Sequence, residues 1–193
     1  MIRKNACVLM ADGSEELEVV AIVDVLRRAG IGVFLAEVTE GRLVTASRGV
    51  RLAPDGAWDP EEAERFDALV IPGGSEGVES LAADSSVLEV LRQFAAEEKW
   101  VAAICAGPEV LHAAGLLDGK VFTCYPSCRG EIATGRWLDA PVVRTGHLLT
   151  SQGPGTAVAF ALNLAALLVD ETTAQHVAAG MLTDWTPAMV AED

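Results

Sequence analysis

Cys105 lies in the run Trp100-Val101-Ala102-Ala103-Ile104-Cys105-Ala106-Gly107-Pro108-Glu109. Five apolar residues lead to a thiol, a tight Ala-Gly pair follows, and a proline stands where a helix would start. A strand, a nucleophile, a sharp turn and a helix in that order push one side chain into a strained, exposed position. The helix start beyond it offers unpaired N–H groups and partial positive charge, which predicts a thiolate-favouring setting. A buried Cys that only fills space, the competing reading, needs neither the turn nor the helix start.

Two other segments carry residues that could serve such a thiol. Glu15-Glu16-Leu17-Glu18 opens a predicted helix. Acidic residues in a first turn complement the helix dipole, and that alone can explain them. Glu15 and Glu18, however, are spaced i, i+3 on one face, and Glu18 is flanked by Leu17, Val19 and Val20. A carboxyl held among apolar groups has a raised pKa and can trade protons near neutrality. Pro72-Gly73-Gly74 is either an ordinary strand-ending turn or a bare backbone that a substrate can approach. In the second case Gly73, Gly74 and the N–H of Ala106 together could form an oxyanion hole.

Other chemistries find less support. His112 is seven residues after Cys105, two helical turns away, and His147 and His176 fall on a hairpin and a late helix. No Cys–His dyad is visible. Cys124 and Cys128 lack the second Cys or His pair that would complete four zinc ligands, so no metal site is expected. No cofactor is expected either.

Positioning these residues requires a scaffold, and the apolar pattern supplies one. Strands are predicted at 6–11, 32–38, 67–71, 100–104 and 120–123, and helices at 15–29, after Asp84, at 109–114, 156–169 and 171–181. Gly30 ends the first helix, Asp84 can cap the next, and Val87, Leu88, Leu91, Phe94 and Ala95 repeat at helical spacing. A hairpin or edge segment is expected at 43–52, a loop with a short helix at 55–65, and a hairpin around Gly146 at 141–150. Alternating βα units with continuous apolar strands give an α/β fold, a mostly parallel sheet with helices on both faces, spanning 1–193 as one domain. In such sheets chemistry gathers at the carboxyl ends of the strands. The turns 12–18, 72–74 and 105–108 all fall there.

The chain has 193 residues, is 51% hydrophobic and carries a formal net charge of −14. Without a Lys/Arg cluster, no nucleic-acid-binding surface is expected. The longest apolar run, 157–169, is interrupted by Asn163 and is too short to span a membrane. The N-terminus lacks the pattern of a signal peptide, and four cysteines make no disulfide scaffold, so a reducing cytoplasm is expected.

With these residues in hand the chain resembles the ThiJ/PfpI superfamily, and within it the branch of the parkinsonism-associated deglycase and its bacterial relatives. The matching motifs are Asp12-Gly13-Ser14-Glu15-Glu16-Leu17-Glu18, Asp24-Val25-Leu26-Arg27-Arg28-Ala29-Gly30, Ser47-Arg48-Gly49-Val50, Leu69-Val70-Ile71-Pro72-Gly73-Gly74, Ala102-Ala103-Ile104-Cys105-Ala106-Gly107-Pro108 and Leu149-Thr150-Ser151-Gln152-Gly153-Pro154-Gly155-Thr156. They follow the family's order over most of the chain. The resemblance implies a flavodoxin-like three-layer sandwich, a homodimer, and a nucleophilic Cys105 hydrogen-bonded to a protonated Glu18. It assigns the oxyanion-hole glycine to Gly74, beside Gly73, and places Arg28 and Arg48 near the dimer rim and the site mouth, with Glu15 and Tyr125 also at the pocket or rim. Where many relatives carry a histidine near the cysteine, this chain has Tyr125, in the Cys-Tyr-Pro form of some bacterial relatives. Ala106 stands where the peptidase branch has a histidine, which argues against proteolysis. No His-x-Glu occurs, unlike the glutamine amidotransferases.

The first expectation is therefore a cysteine-dependent, glutathione-independent glyoxalase or deglycase. Its substrates would be reactive dicarbonyls such as methylglyoxal, or their glycation adducts. The second is a non-catalytic oxidative-stress sensor or chaperone that works through oxidation of Cys105. An amidase or esterase is a third, allowed by the elbow alone.

Overall fold

Alternate residues of the first strand serve different layers. The computed structural model describes residues 3–39, 41 and 43–192. In β1 (Asn5–Met10), Ala6, Val8 and Met10 pack into one apolar cluster, while Cys7 and Leu9 pack into another on the opposite face. This period-two division with both sets buried is the mark of a sheet covered on both sides.

The chain continues through α1 (Glu16–Arg28), β2 (Gly32–Glu37), the short strands β3 (Val44–Thr45), β4 (Arg51–Leu52) and β5 (Gly56–Ala57), and β6 (Ala68–Ile71). It then runs through α2 (Ser75–Ala83), α3 (Ser85–Ala96), β7 (Trp100–Ile104), α4 (Pro108–Ala113), β8 (Val121–Phe122), β9 (Arg136–Trp137), β10 (Val142–Thr145) and β11 (Leu148–Ser151). The last elements are α5 (Ala157–Leu168), α6 (Glu171–Gly180) and β12 (Met189–Ala191). Eight strands form the main sheet in the order β12-β10-β11-β7-β6-β1-β2-β5. All neighbours are parallel except β10 and β11, which form a hairpin turning at Gly146.

Helices α1 and α5 cover one face through residues such as Val19, Ile22, Leu26, Phe160, Leu164 and Leu168. Helices α2, α3 and α4 cover the other through Val78, Leu81, Leu91, Phe94, Val110 and Leu111. The result is the expected three-layer, flavodoxin-like α/β sandwich. Glu16 and Glu18 in the first turn of α1, with Arg27 and Arg28 in the last, complement its dipole. Asp84 caps α3 by accepting from the N–H groups of Ser86 and Val87. No helix among the described residues is long and apolar enough to cross a membrane.

Several elements differ from the sequence expectation. α2 follows Gly74 with no side-chain cap, so no local start signal marks it. β8 is shorter than expected and pairs with β9 in a separate two-stranded sheet. The segment 55–65 contributes an edge strand, β5, before its 3₁₀ turn at Pro60–Arg65. β12 was not expected because its residues are largely exposed; it joins the sheet beside β10.

Candidate active site

The turns that follow β1, β6 and β7 meet at the carboxyl end of the parallel strands. Cys105 directly follows β7 with φ of +64°, a conformation that a non-glycine residue adopts at a strained turn. Its N–H donates to Ser151 O (3.0 Å), and its carbonyl accepts from Tyr125 N–H (2.8 Å). These bonds tie the strained residue to β11 on one side and to the segment before Pro126 on the other. The side chain is half-buried.

Glu18, on the first turn of α1, is fully buried. Its Oε2 accepts from Gly73 N–H at 2.7 Å, and its Oε1 is buried without a hydrogen-bond partner. Gly73 is the place where the Cys105 and Glu18 side chains converge. A β-carbon there would lie 2.5 Å from Cys105 Cβ, 2.9 Å from Glu18 Oε2 and 3.0 Å from Cys105 Sγ. Only a bare α-carbon lets the acid and the thiol approach each other across this turn. Gly74 is needed for a different reason. Its φ is +95°, and a β-carbon would run into the Gly13 carbonyl and lie 2.7 Å from Glu15 N.

The electrostatics correct one expectation. Burial, first of all, pushes the Glu18 carboxyl up to about 7, the Gly73 N–H opposes the shift, and the Glu15 carboxylate adds to it. Cys105 is pushed upward too, by burial and then by the negative charge of Glu18, against the pull of the Ala106 N–H. The expected thiolate-favouring helix start is outweighed: α4 has only six residues, and its dipole is small beside desolvation and an adjacent carboxylate. A buried carboxyl and a half-buried thiol in mutual contact each disfavour the other's negative charge, so the pair titrates as a unit.

The other expected residues divide. Gly73 does not offer its N–H to a substrate, because Glu18 already takes it. That removes Gly73 from the expected oxyanion donors. The Ala106 N–H acts on the sulfur itself, and Gly74 N–H donates to no backbone carbonyl among the described residues. Glu15 is buried and accepts from Ser47 Oγ (2.7 Å), which also bonds Glu16 (3.0 Å). Arg48 contributes its backbone N–H to Glu16 (3.0 Å) and leaves its side chain exposed. Arg28 sits at the far end of α1, about 15 Å along the axis from Glu18, in an exposed pair with Asp24 (2.7 Å). The fold keeps it out of the Cys105 pocket, which leaves only the rim among its expected places. Tyr125 lies at the site, nearly half exposed, with its ring toward Gly153.

Two neighbours of Cys105 were missed. Gly153 approaches the sulfur from the loop after β11; it stands in one of the matching motifs, but nothing in the motif gives it a role. Cys128, considered only for zinc and disulfide chemistry, stands close enough that its ionised form would raise the proton affinity of Cys105, although burial keeps its own thiol protonated, pushed up to about 12. The histidines are elsewhere: His112 bonds Thr134 Oγ1 (3.1 Å), and His147 packs on the Trp100 ring. No group of three or more His, Cys, Asp or Glu suited to a metal occurs among the described residues.

Comparison with known proteins bears on this arrangement. The model of the DJ-1/PfpI family matches residues 4–167. Protein dj-1beta of Drosophila melanogaster is 40% identical over 181 residues, 93% of this chain and 97% of its own length. Its crystal structure superposes with a TM-score of 0.91, covering 95% of this chain and all of that one. The Schizosaccharomyces pombe protein named glutathione-independent glyoxalase DJ-1 is 36% identical over 170 residues, covering 83% of this chain and 88% of its own. A structure of Toxoplasma gondii DJ-1, described as oxidized, has a TM-score of 0.90 at 35% identity and covers 94% of this chain and all of that one.

Proposed function

The chain belongs to the DJ-1/PfpI family, and on that footing we propose that it is a cysteine-dependent, glutathione-independent glyoxalase and deglycase. Its substrates are reactive dicarbonyls such as methylglyoxal, or their glycation adducts. One observation carries this reading: a fully buried Glu18, fixed by Gly73 N–H and raised to about 7, against a thiol on a strained elbow. A yeast relative named for the same activity supports it.

The chemistry follows from that pair. Glu18 takes the thiol proton as Cys105 Sγ bonds to the aldehyde carbon, and the carbonyl electron pair moves to oxygen. Gly74 N–H, which donates to no backbone carbonyl among the described residues, is the backbone donor left for that oxygen, joined by Ala106 N–H once the sulfur has bonded to carbon. The oxygen takes that proton back from Glu18, giving a hemithioacetal and leaving Glu18 a carboxylate again. Glu18 then removes the hydrogen from the former aldehyde carbon and returns a proton to the neighbouring carbon through an enediol. The resulting thioester is cleaved by water, which releases a 2-hydroxy acid and restores the thiol. Methylglyoxal plus water thus yields lactate, with no net oxidation and no added cofactor.

The test is lactate formation from methylglyoxal by the wild type, Cys105→Ser and Glu18→Gln. Both variants should lose at least about a hundredfold in kcat/KM, the scale of a lost nucleophile or proton shuttle. Undiminished turnover in Cys105→Ser would refute the reading. The relative described as oxidized favours a second reading, in which Cys105 is a peroxide sensor. Two peroxides would convert the thiol to a sulfinic acid, each leaving as an alcohol or water. A mass gain of about 32 Da confined to Cys105, in a protein without dicarbonyl turnover, would select that reading.

A further inference from the structure

Gly153 has an extended backbone, φ 165° and ψ −167°, which does not call for glycine. What a side chain there would change is the space beside the thiol. A β-carbon on Gly153 would lie 3.2 Å from Tyr125 Cδ2, 3.7 Å from Cε2 and 3.9 Å from Cys105 Sγ. The residue cannot swing aside. Its N–H donates to Thr156 Oγ1 (3.1 Å), and its carbonyl accepts from the Thr156 N–H (2.8 Å) and hydroxyl (2.9 Å). Thr156 Oγ1 is in turn 2.7 Å from Ser151 Oγ, and Ser151 O holds the Cys105 N–H.

Tyr125 is anchored as firmly at its backbone, through its N–H to the Cys105 carbonyl at 2.8 Å. Its ring remains 46% exposed. Between ring and loop opens a cavity of about 200 Å³, walled by Tyr125, Pro126, Gly153 and Pro154. Gln152, Gly155 and Thr156 complete its largely apolar lining, and Gly153 and Tyr125 also border the thiol.

We propose that Gly153 and Tyr125 together set the substrate shape of this site. The bare α-carbon of Gly153 leaves open the lane to Sγ, and the Tyr125 ring with Pro126 and Pro154 receives the substituent on the far carbonyl. The class selected is 2-oxoaldehydes whose second substituent is flat and apolar or aromatic. The assignment rests on the reaction proposed above, but the geometry also governs any electrophile that reaches Sγ. A near-attack approach to sulfur tolerates little lateral displacement, so one methyl group in the lane is felt strongly.

Two measurements separate the shape claim from the reaction. The first compares kcat/KM for phenylglyoxal and methylglyoxal in wild type, Tyr125→Ala and Gly153→Ala. The second compares alkylation of Cys105 by iodoacetamide and N-benzyliodoacetamide, followed by intact mass in a Cys128→Ser background. Tyr125→Ala should lower the aromatic-to-small ratio roughly fivefold in both assays, the scale of one aromatic contact. Gly153→Ala should slow both alkylations, the benzyl reagent by about tenfold more. Unchanged ratios in both variants would overturn the proposal. Should Gly153→Ala lose its circular dichroism signal, Tyr125→Ala decides alone. No dicarbonyl turnover in the wild type, together with shifted alkylation ratios in the two variants, would refute the reaction and uphold the shape assignment.

Discussion

Replacing Glu18 by Gln should make the protein more stable while it removes activity, and the gain should depend on pH. The glutamine keeps an acceptor for Gly73 N–H, so the 2.7 Å bond that fixes the side chain survives. What disappears is a buried negative charge. The Glu18 carboxyl rises from 4.5 to about 7 in the folded protein, chiefly through burial. An acid that binds its proton more tightly when folded contributes stability that is fully present below the unfolded value. That contribution is lost as pH rises through the folded value. Between 4.5 and about 7 the unfolded chain is the more ionised, and stability falls; above about 7 both states are ionised and the penalty is constant. At ~1.36 kcal/mol per unit, the full penalty is about 3 kcal/mol. The buried amide of Gln recovers only part of that, because its NH₂ has no assured partner, so a net gain of about 1 to 3 kcal/mol is expected. Urea unfolding near pH 8 should show this gain, which corresponds to roughly 2–12 °C in Tm for a chain of this size. Near pH 4.5 the two proteins should unfold almost together. Parallel stability curves at both pH values would refute the reasoning, because they would mean that Glu18 carries no buried charge. Over the same range, wild-type turnover should rise with pH through about 7, as the Cys105–Glu18 pair gains its single negative charge.

Other consequences follow from particular contacts. Gly74→Ala should cost at least about 2 kcal/mol by chemical denaturation, since φ of +95° and the Gly13 carbonyl both oppose a β-carbon; a loss under about 0.5 kcal/mol would show that the turn can relax. Asn163 is buried on the apolar helix α5, where Nδ2 donates to Thr186 O (3.0 Å) and Oδ1 accepts from Ala188 N–H (2.6 Å). Asn163→Ala should cost about 2–3 kcal/mol and open residues 182–192 to limited proteolysis, with dicarbonyl turnover retained; unchanged cleavage would mean that β12 holds itself in place.

Much of the scaffold was legible because its signals are local. Strand β1 reads as buried on both faces from its unbroken apolar run, and α3 announces itself through Asp84 and its helical spacing. The β10–β11 hairpin is written around Gly146, and the elbow around Cys105. The missed elements have no such signals. α2 begins after Gly74 without a side-chain cap, and β12 is held by Asn163 from a distant helix rather than by its own apolar pattern. At the site, Cys105 and Glu18 could each be named from their neighbours in sequence. Arg28 could not be placed that way, because a matching motif gives no distance, and the length of α1 carries it away from the thiol.

The sequence by itself determined the layered fold, the strained turn that carries the thiol and the acidic first turn of α1, because periodicity, turn residues and caps act over a few neighbouring positions. Tertiary structure decided the proton. Local context, a thiol before a helix start, favours the thiolate. Folding adds burial and brings Glu18 against Cys105 across Gly73, and those forces raise the proton affinity of both groups. Desolvation and charge proximity depend on which distant segments meet, and no local pattern encodes them.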